Sequence, residues 1–181
     1  MSRLIKEIQE ALAVLSIPEK AEFFPRFFKT GKGEYGEGDL FLGVKVPDQR
    51  SVAKEYYPKI SWEELSVLLS SQYHEHRLTA IFMLVLKFEK TKDKAVKDDA
   101  VKFYLDHLPY VNNWDIVDSS CYKILGRYAF ENQKESLLID LSKSEEMWDK
   151  RIAVVGTMHY VKKGSFDLTK EFVTRNLKHP H

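Results

Sequence analysis

The sequence predicts an all-α protein: a HEAT-like helical-repeat solenoid, a right-handed superhelix of antiparallel helix pairs. Three observations carry this. Apolar residues recur with helical spacing along nearly the whole chain, in segments separated by short polar connections. The segments alternate, a less apolar helix followed by a more apolar one. Finally, Arg77, Trp114 and Arg151, each near the start of a second helix, stand at equal intervals of 37 residues. A helix-pair repeat near forty residues is the sequence mark of such a solenoid.

Each element has a local reason. "MSRLIKEIQEALAVL" is amphipathic, with charges spread through it, and has no continuous apolar core of the kind a secretory leader needs. "PEKAEFFPRFFK" opens on Pro18 and "VPDQRSVAKEYY" carries Pro47 at its start, where a missing N–H costs nothing. "SWEELSVLLSS" places Glu64 three residues after Ser61, the spacing of a capping box. Helices follow in "EHRLTAIFMLVLKFEK", "DKAVKDDAVKFYLDHL", "YVNNWDIVDSSCYKILGRYAF", "KESLLIDLSKS", "EMWDKRIAVVGTMHYVKK" and "DLTKEFVTRNL". The best strand candidate, "DLFLGVKV", is short and has no evident partner. The last segment reads as the first helix of a further pair, so residues 1–181 are expected to form one helical repeat domain lacking the final half repeat or more.

With 44% hydrophobic residues and a mean hydropathy of −0.38, the chain can bury a core, and no apolar run approaches the roughly 20 residues of a membrane span. A lone cysteine excludes an intramolecular disulfide and fits a reducing compartment, so a cytoplasmic location is the expectation. The chain is also expected to be a monomer. The 28 basic and 27 acidic residues leave a net charge of +1. Nucleic-acid binding then requires that the basic residues be segregated to one face.

The repeat alignment isolates one anomaly. One position after the anchor stand Leu78, Asp115 and Ile152; four positions after it stand Ile81, Asp118 and Val155. Two slots that are aliphatic in the flanking repeats are acidic in the middle one. Asp115, in a first helical turn, favours the helix dipole. Asp118 lies further in, where an unpaired buried carboxylate costs several kcal/mol. Trp114 and Asp118, four apart, share a helix face. A carboxylate beside an aromatic plane can hold a cation or stabilise one that develops in a reaction. A hydrogen bond from Asp118 to a helix N-terminus or an arginine is the structural alternative.

Other signals read as structural. "GKGEYGEG" contains a literal G-x-G-x-x-G, but a helix precedes it, and Glu34 and Glu37 would repel a pyrophosphate, so it is a connector. His74 and His76, two apart at a helix start, read as surface histidines with no metal-ligand spacing. Cys121 reads as a small buried filler. Trp62 and Trp148 read as packing between repeats, and "KFEKTKDKAVKDD" as a solvated face.

"NNWDIVDSS" resembles the Trp-Asp-x-Val-Asp segment of the AlkD-like DNA alkylation repair glycosylases, a HEAT-like repeat family. "FLGVKVPDQR" resembles that family's Phe-Leu-Gly-x-x-x-Pro-x-x-Arg segment, and "PEKAEFFPRFFK" and "WDKRIAVV" are similar to two further stretches in the same order. The resemblance runs along essentially the whole chain. It implies excision of cationic N3- and N7-alkylated purines from double-stranded DNA, without metal or cofactor and without a tight base pocket. It makes Asp118 the catalytic carboxylate and Trp114 an aromatic wall. It places Arg151 on a phosphate near the lesion, and Lys45, Pro47 and Arg50 where the N-terminal repeat meets the DNA backbone. Phe27 falls where the best-known pattern has a tyrosine, keeping the stacking surface without the hydroxyl. A non-catalytic HEAT-like DNA-binding or protein-scaffold module is the alternative, and Asp118 is the residue that separates the two.

Overall fold

The structure is a computed structural model describing residues 2–180. Among these no strand forms; the segment that carried the strand expectation makes only an isolated bridge, Leu40 to Tyr73. The chain is all-α, as its periodicity requires, and no helix among the described residues is long and apolar enough to cross a membrane. It divides into two compact units, one running to Ile116 and one from Val117 onward.

The first unit is built around one helix. Helix α1 (Arg3–Val14) starts where the Ser2 hydroxyl accepts the Ile5 N–H and buries Ile5, Ile8 and Leu12. Helix α2 (Pro18–Phe27) starts on proline and carries Pro25 inside, where the Ala21 carbonyl loses its intrahelical donor; the chain leaves the helix just beyond, with Lys29 at φ +55°. Helix α3 (Val46–Tyr56) has Pro47 as its second residue. Helix α4 (Trp62–Leu69) forms the expected capping box, Ser61 and Glu64 each satisfying the other's backbone N–H. Helix α5 (His74–Lys90) packs against α1, α3, α4 and helix α6 (Lys94–Asp106), and every residue from His74 to Val85 is buried. A helix wrapped on all sides must bury its polar N-terminal turn as well as its apolar run.

The stretch expected as one helix over 110–130 is three pieces. Helix α7 (Trp114–Ser120) contains the boundary between the units. A π-helical segment, Tyr122–Gly126, follows, in which the Gly126 N–H reaches back five residues to the Cys121 carbonyl at 2.9 Å; helix α8 (Arg127–Asn132) then ends at Gln133 in the left-handed region. Within the second unit, helices α9 (Ser136–Lys143) and α10 (Met147–Gly156) pack as a pair. The π segment lies against the end of α10 so closely that a Cβ on Gly126 would sit 2.1 Å from the Gly156 carbonyl oxygen. The long helix expected over 146–163 is broken at Thr157 into α10 and a short α11 (Met158–Val161), and α12 (Asp167–Asn176) follows.

Candidate active site

In the first unit, α2 and the start of α7 bring aromatic rings together. Phe27, half exposed, meets Trp114 edge-on at 5.7 Å between centroids. Phe28, buried and absent from the sequence-based site, lies nearly parallel to Trp114 at 5.7 Å and 13°. The Asn113 side chain accepts the Trp114 N–H at 2.8 Å, fixing the start of α7.

The segment 42–47 is pinned from beneath. Glu75, 1% exposed, accepts hydrogen bonds from the backbone N–H groups of Leu42, Gly43 and Val44 at 3.0, 2.8 and 3.3 Å. Gly43 has φ +82°, and a Cβ there would stand 2.2 Å from the Ile17 carbonyl oxygen, so only glycine fits. This presentation leaves Lys45 and Pro47 exposed at the first turn of α3. Arg50, also exposed, lays its guanidinium over the Phe82 ring at 3.9 Å.

A buried polar cluster occupies the start of α5. His74 Nε2 faces Asp115 Oδ2 at 2.8 Å and Nδ1 faces Asp39 Oδ2 at 3.4 Å, while Arg77 donates to the same Asp39 oxygen at 2.6 Å. Burial alone would push Asp39 up, but its hydrogen bond to His74 and the charge of Arg77 hold it below its ordinary value. Burial also opposes the charged form of His74, yet the hydrogen bonds to Asp115 and Asp39 raise it. His76, bonded to the Ser71 hydroxyl at 2.9 Å, is pushed by burial down to about 4.

These findings correct the sequence-based reading at two places. His74 and His76 are core residues, 2% and 5% exposed, because α5 is enclosed on all sides. Asp115 does more than complement a helix dipole: it is the buried carboxylate of its pair, 8% exposed and held by His74. The signal available in "HEHR" is its place at the head of an uninterrupted apolar helix.

In the second unit Asp118 is neither fully buried nor unpaired. Arg151, on α10, clamps it from two nitrogens, Nε to Oδ1 at 2.9 Å and Nη2 to Oδ2 at 2.7 Å. Both side chains are 36% exposed, so the pair stands at an accessible surface. A cleft of about 250 Å³ opens beside Arg151, lined by Trp148, Met147, Val154, Val155, Lys150 and Asn176. Cys121 is fully buried, and burial pushes its thiol far up, as a structural filler requires. The glycine-rich connector at 31–38 has its own occupants: Glu34 accepts the Gly31 N–H and Glu37 the Gly33 N–H, so these two amides are already satisfied.

The chain is all-helical, consistent with a helical-repeat solenoid, and carries an accessible, arginine-held carboxylate four residues after a tryptophan. A family model described as DNA alkylation repair enzyme matches residues 8–181, and the chain belongs to that family. Among solved structures it is similar to a predicted DNA alkylation repair enzyme from Enterococcus faecalis, at 16% identity and a TM-score of 0.63 over 92% of this chain and 76% of that one. That likeness establishes the shared fold. No curated protein sequence matches the chain.

Proposed function

We propose that the protein is a DNA glycosylase that excises cationic N3- and N7-alkylated purines from duplex DNA. The observation that carries this reading is the accessible Asp118 carboxylate, held in a fixed geometry by Arg151 at a helical slot that is aliphatic in the neighbouring repeats. An alkylated purine already bears positive charge and leaves readily. The demand on the enzyme is therefore negative charge where the deoxyribose becomes oxocarbenium-like as the bond to the base breaks. Asp118 supplies that charge and helps place the attacking water. Trp114, with Phe27 at its edge, is the aromatic wall that the family resemblance implies. No metal or cofactor enters this chemistry.

Arg151 belongs to the same scheme. A phosphate offers a guanidinium the same two-oxygen geometry as a carboxylate. A backbone phosphate that engages Arg151 draws it from Asp118 and leaves the carboxylate to the sugar. Lys45, and the α3 N-terminus whose first turn holds Pro47, suit a second stretch of phosphates; Arg50 adds charge beside them.

The second reading is a non-catalytic DNA-binding or scaffold module. It draws on the same ion pair, since two partners that satisfy each other need no ligand. Incubation with methylated duplex DNA separates the two. The glycosylase reading expects release of free 7-methylguanine without added metal, and binding that weakens steeply with salt as phosphates are neutralised. Binding without base release supports the DNA-binding module, and salt-independent or absent binding the scaffold.

A further inference from the structure

The polar cluster at the head of α5 has no part in the chemistry assigned to Asp118, yet it touches the rings that support Trp114. His74, Asp39 and Arg77 have side chains 2%, 8% and 4% exposed. Each imidazole nitrogen of His74 faces a carboxylate oxygen. An ionised carboxylate only accepts hydrogen bonds, so a neutral imidazole would turn one lone pair against an anion. A proton on each nitrogen satisfies both contacts. It also makes the cluster electrically neutral, with two carboxylates against one guanidinium and one imidazolium, which a buried site favours.

His74 reaches Trp114 by two routes. One is covalent: Asp115, its hydrogen-bond partner, is the next residue in the chain. The other is through rings. Phe28 rests on His74 at 4.5 Å between centroids and lies parallel to Trp114 on its other contact, while Phe41 stacks on His74 at 5.2 Å. A cation over an aromatic face is attracted to it, so the charge that binds the carboxylates also holds Phe28.

We propose that His74 is a positioning residue for Trp114: an imidazolium that bridges Asp39 and Asp115, carries Phe28 on its face and thereby sets the plane of the tryptophan ring. Its importance for excision rests on the glycosylase reading; the positioning itself does not. The groups that face His74 are Asp39 from the segment after the glycine-rich connector, Asp115 from α7, Arg77 on its own helix, and the rings of Phe28 and Phe41. Glu75, its neighbour, turns instead to the amides of Leu42, Gly43 and Val44. The two carboxylates raise the His74 pKa against burial and the charge of Arg77.

The test is nuclear magnetic resonance on protein labelled with nitrogen-15 in histidine and tryptophan, with the Trp114 indole assigned through Trp114→Phe. Both His74 nitrogens are expected to carry protons at pH 7. Raising the pH is expected to titrate His74 above the ordinary histidine value and to shift the Trp114 indole signal with the same midpoint. Asp115→Asn removes one counter-charge and is expected to lower both midpoints together; if that variant does not fold, the wild-type titration decides alone. A neutral His74 at pH 7, or a Trp114 signal unmoved while His74 titrates, overturns the proposal. Single-turnover excision over the same range then separates the two readings. A rate that falls with the His74 midpoint supports both, whereas coupled titration in a protein that excises nothing leaves the positioning intact and removes the glycosylase reading.

Discussion

Glu75→Gln is the sharpest perturbation of the scaffold that presents α3. The carboxylate serves three buried N–H groups: Oε1 takes Gly43 and Val44, and Oε2 takes Leu42. Glutamine can place its one carbonyl oxygen at the Oε1 position, which keeps two bonds but removes their charge, at about 1 kcal/mol each. Its NH2 then confronts the Leu42 N–H, donor against donor, at about 1–3 kcal/mol. Losing the cost of burying a charge offsets part of this. The expected loss is about 3 kcal/mol, or roughly 6–12 °C in Tm for a chain of this size. Denaturation measures the loss, and amide exchange at Leu42, Gly43 and Val44 locates it, with protection falling there more than in α4. A loss under about 1 kcal/mol with those amides still protected would refute the claim that Glu75 holds the segment presenting Lys45 and Pro47.

Three further outcomes are expected. Gly126→Ala should cost about 3 kcal/mol in denaturation, because its Cβ meets the Gly156 backbone oxygen, which cannot rotate away; an unchanged Tm would show that the π segment shifts freely. His76, with a folded pKa lowered to about 4, favours its neutral form, so its contribution of roughly 3 kcal/mol is complete above the ordinary value of 6.5 and is lost as pH falls through about 4. His76→Gln should flatten that limb of the stability–pH curve, and a curve parallel to wild type would contradict the assignment. Asp118→Asn should lower stability by only about 0.5–1 kcal/mol, since a pair exposed by a third is strongly screened; a loss above about 3 kcal/mol would make the pair a core element.

Helix starts were legible in the sequence because they are set by neighbours in the chain: Ser61 with Glu64, Pro18, and Pro47 each act within one turn. Cys121, read as a small buried filler, is fully buried. What escaped depends on tertiary enclosure. The apolar run after "HEHR" signals a buried helix, but only the packing against α1, α3, α4 and α6 shows that His74, Glu75 and His76 are buried with it. The sequence set Asp115 in a first turn and Asp118 further in, yet Asp115 is the buried one and Asp118 is a third exposed, because their partners His74 and Arg151 lie 41 and 33 positions away. The π segment at Tyr122–Gly126 ends at a close approach to Gly156 that only the packed second unit reveals. Phe28 was passed over beside Phe27, since adjacent helical residues point apart and only the fold shows that both reach Trp114.

The central claim is tested most directly by single-turnover release of 7-methylguanine from methylated duplex DNA, wild type against Asp118→Asn, with rates scaled to folded protein. The variant keeps the shape of the side chain and removes its charge. The wild type is expected to release the base and the variant to lose about tenfold to a thousandfold in rate, corresponding to about 1.4–4 kcal/mol of transition-state stabilisation. DNA binding should be unchanged or slightly tighter, because Arg151 no longer has a carboxylate competing with phosphate. A variant that excises at the full rate per folded molecule, or a wild type that binds methylated DNA and releases no base, would contradict it.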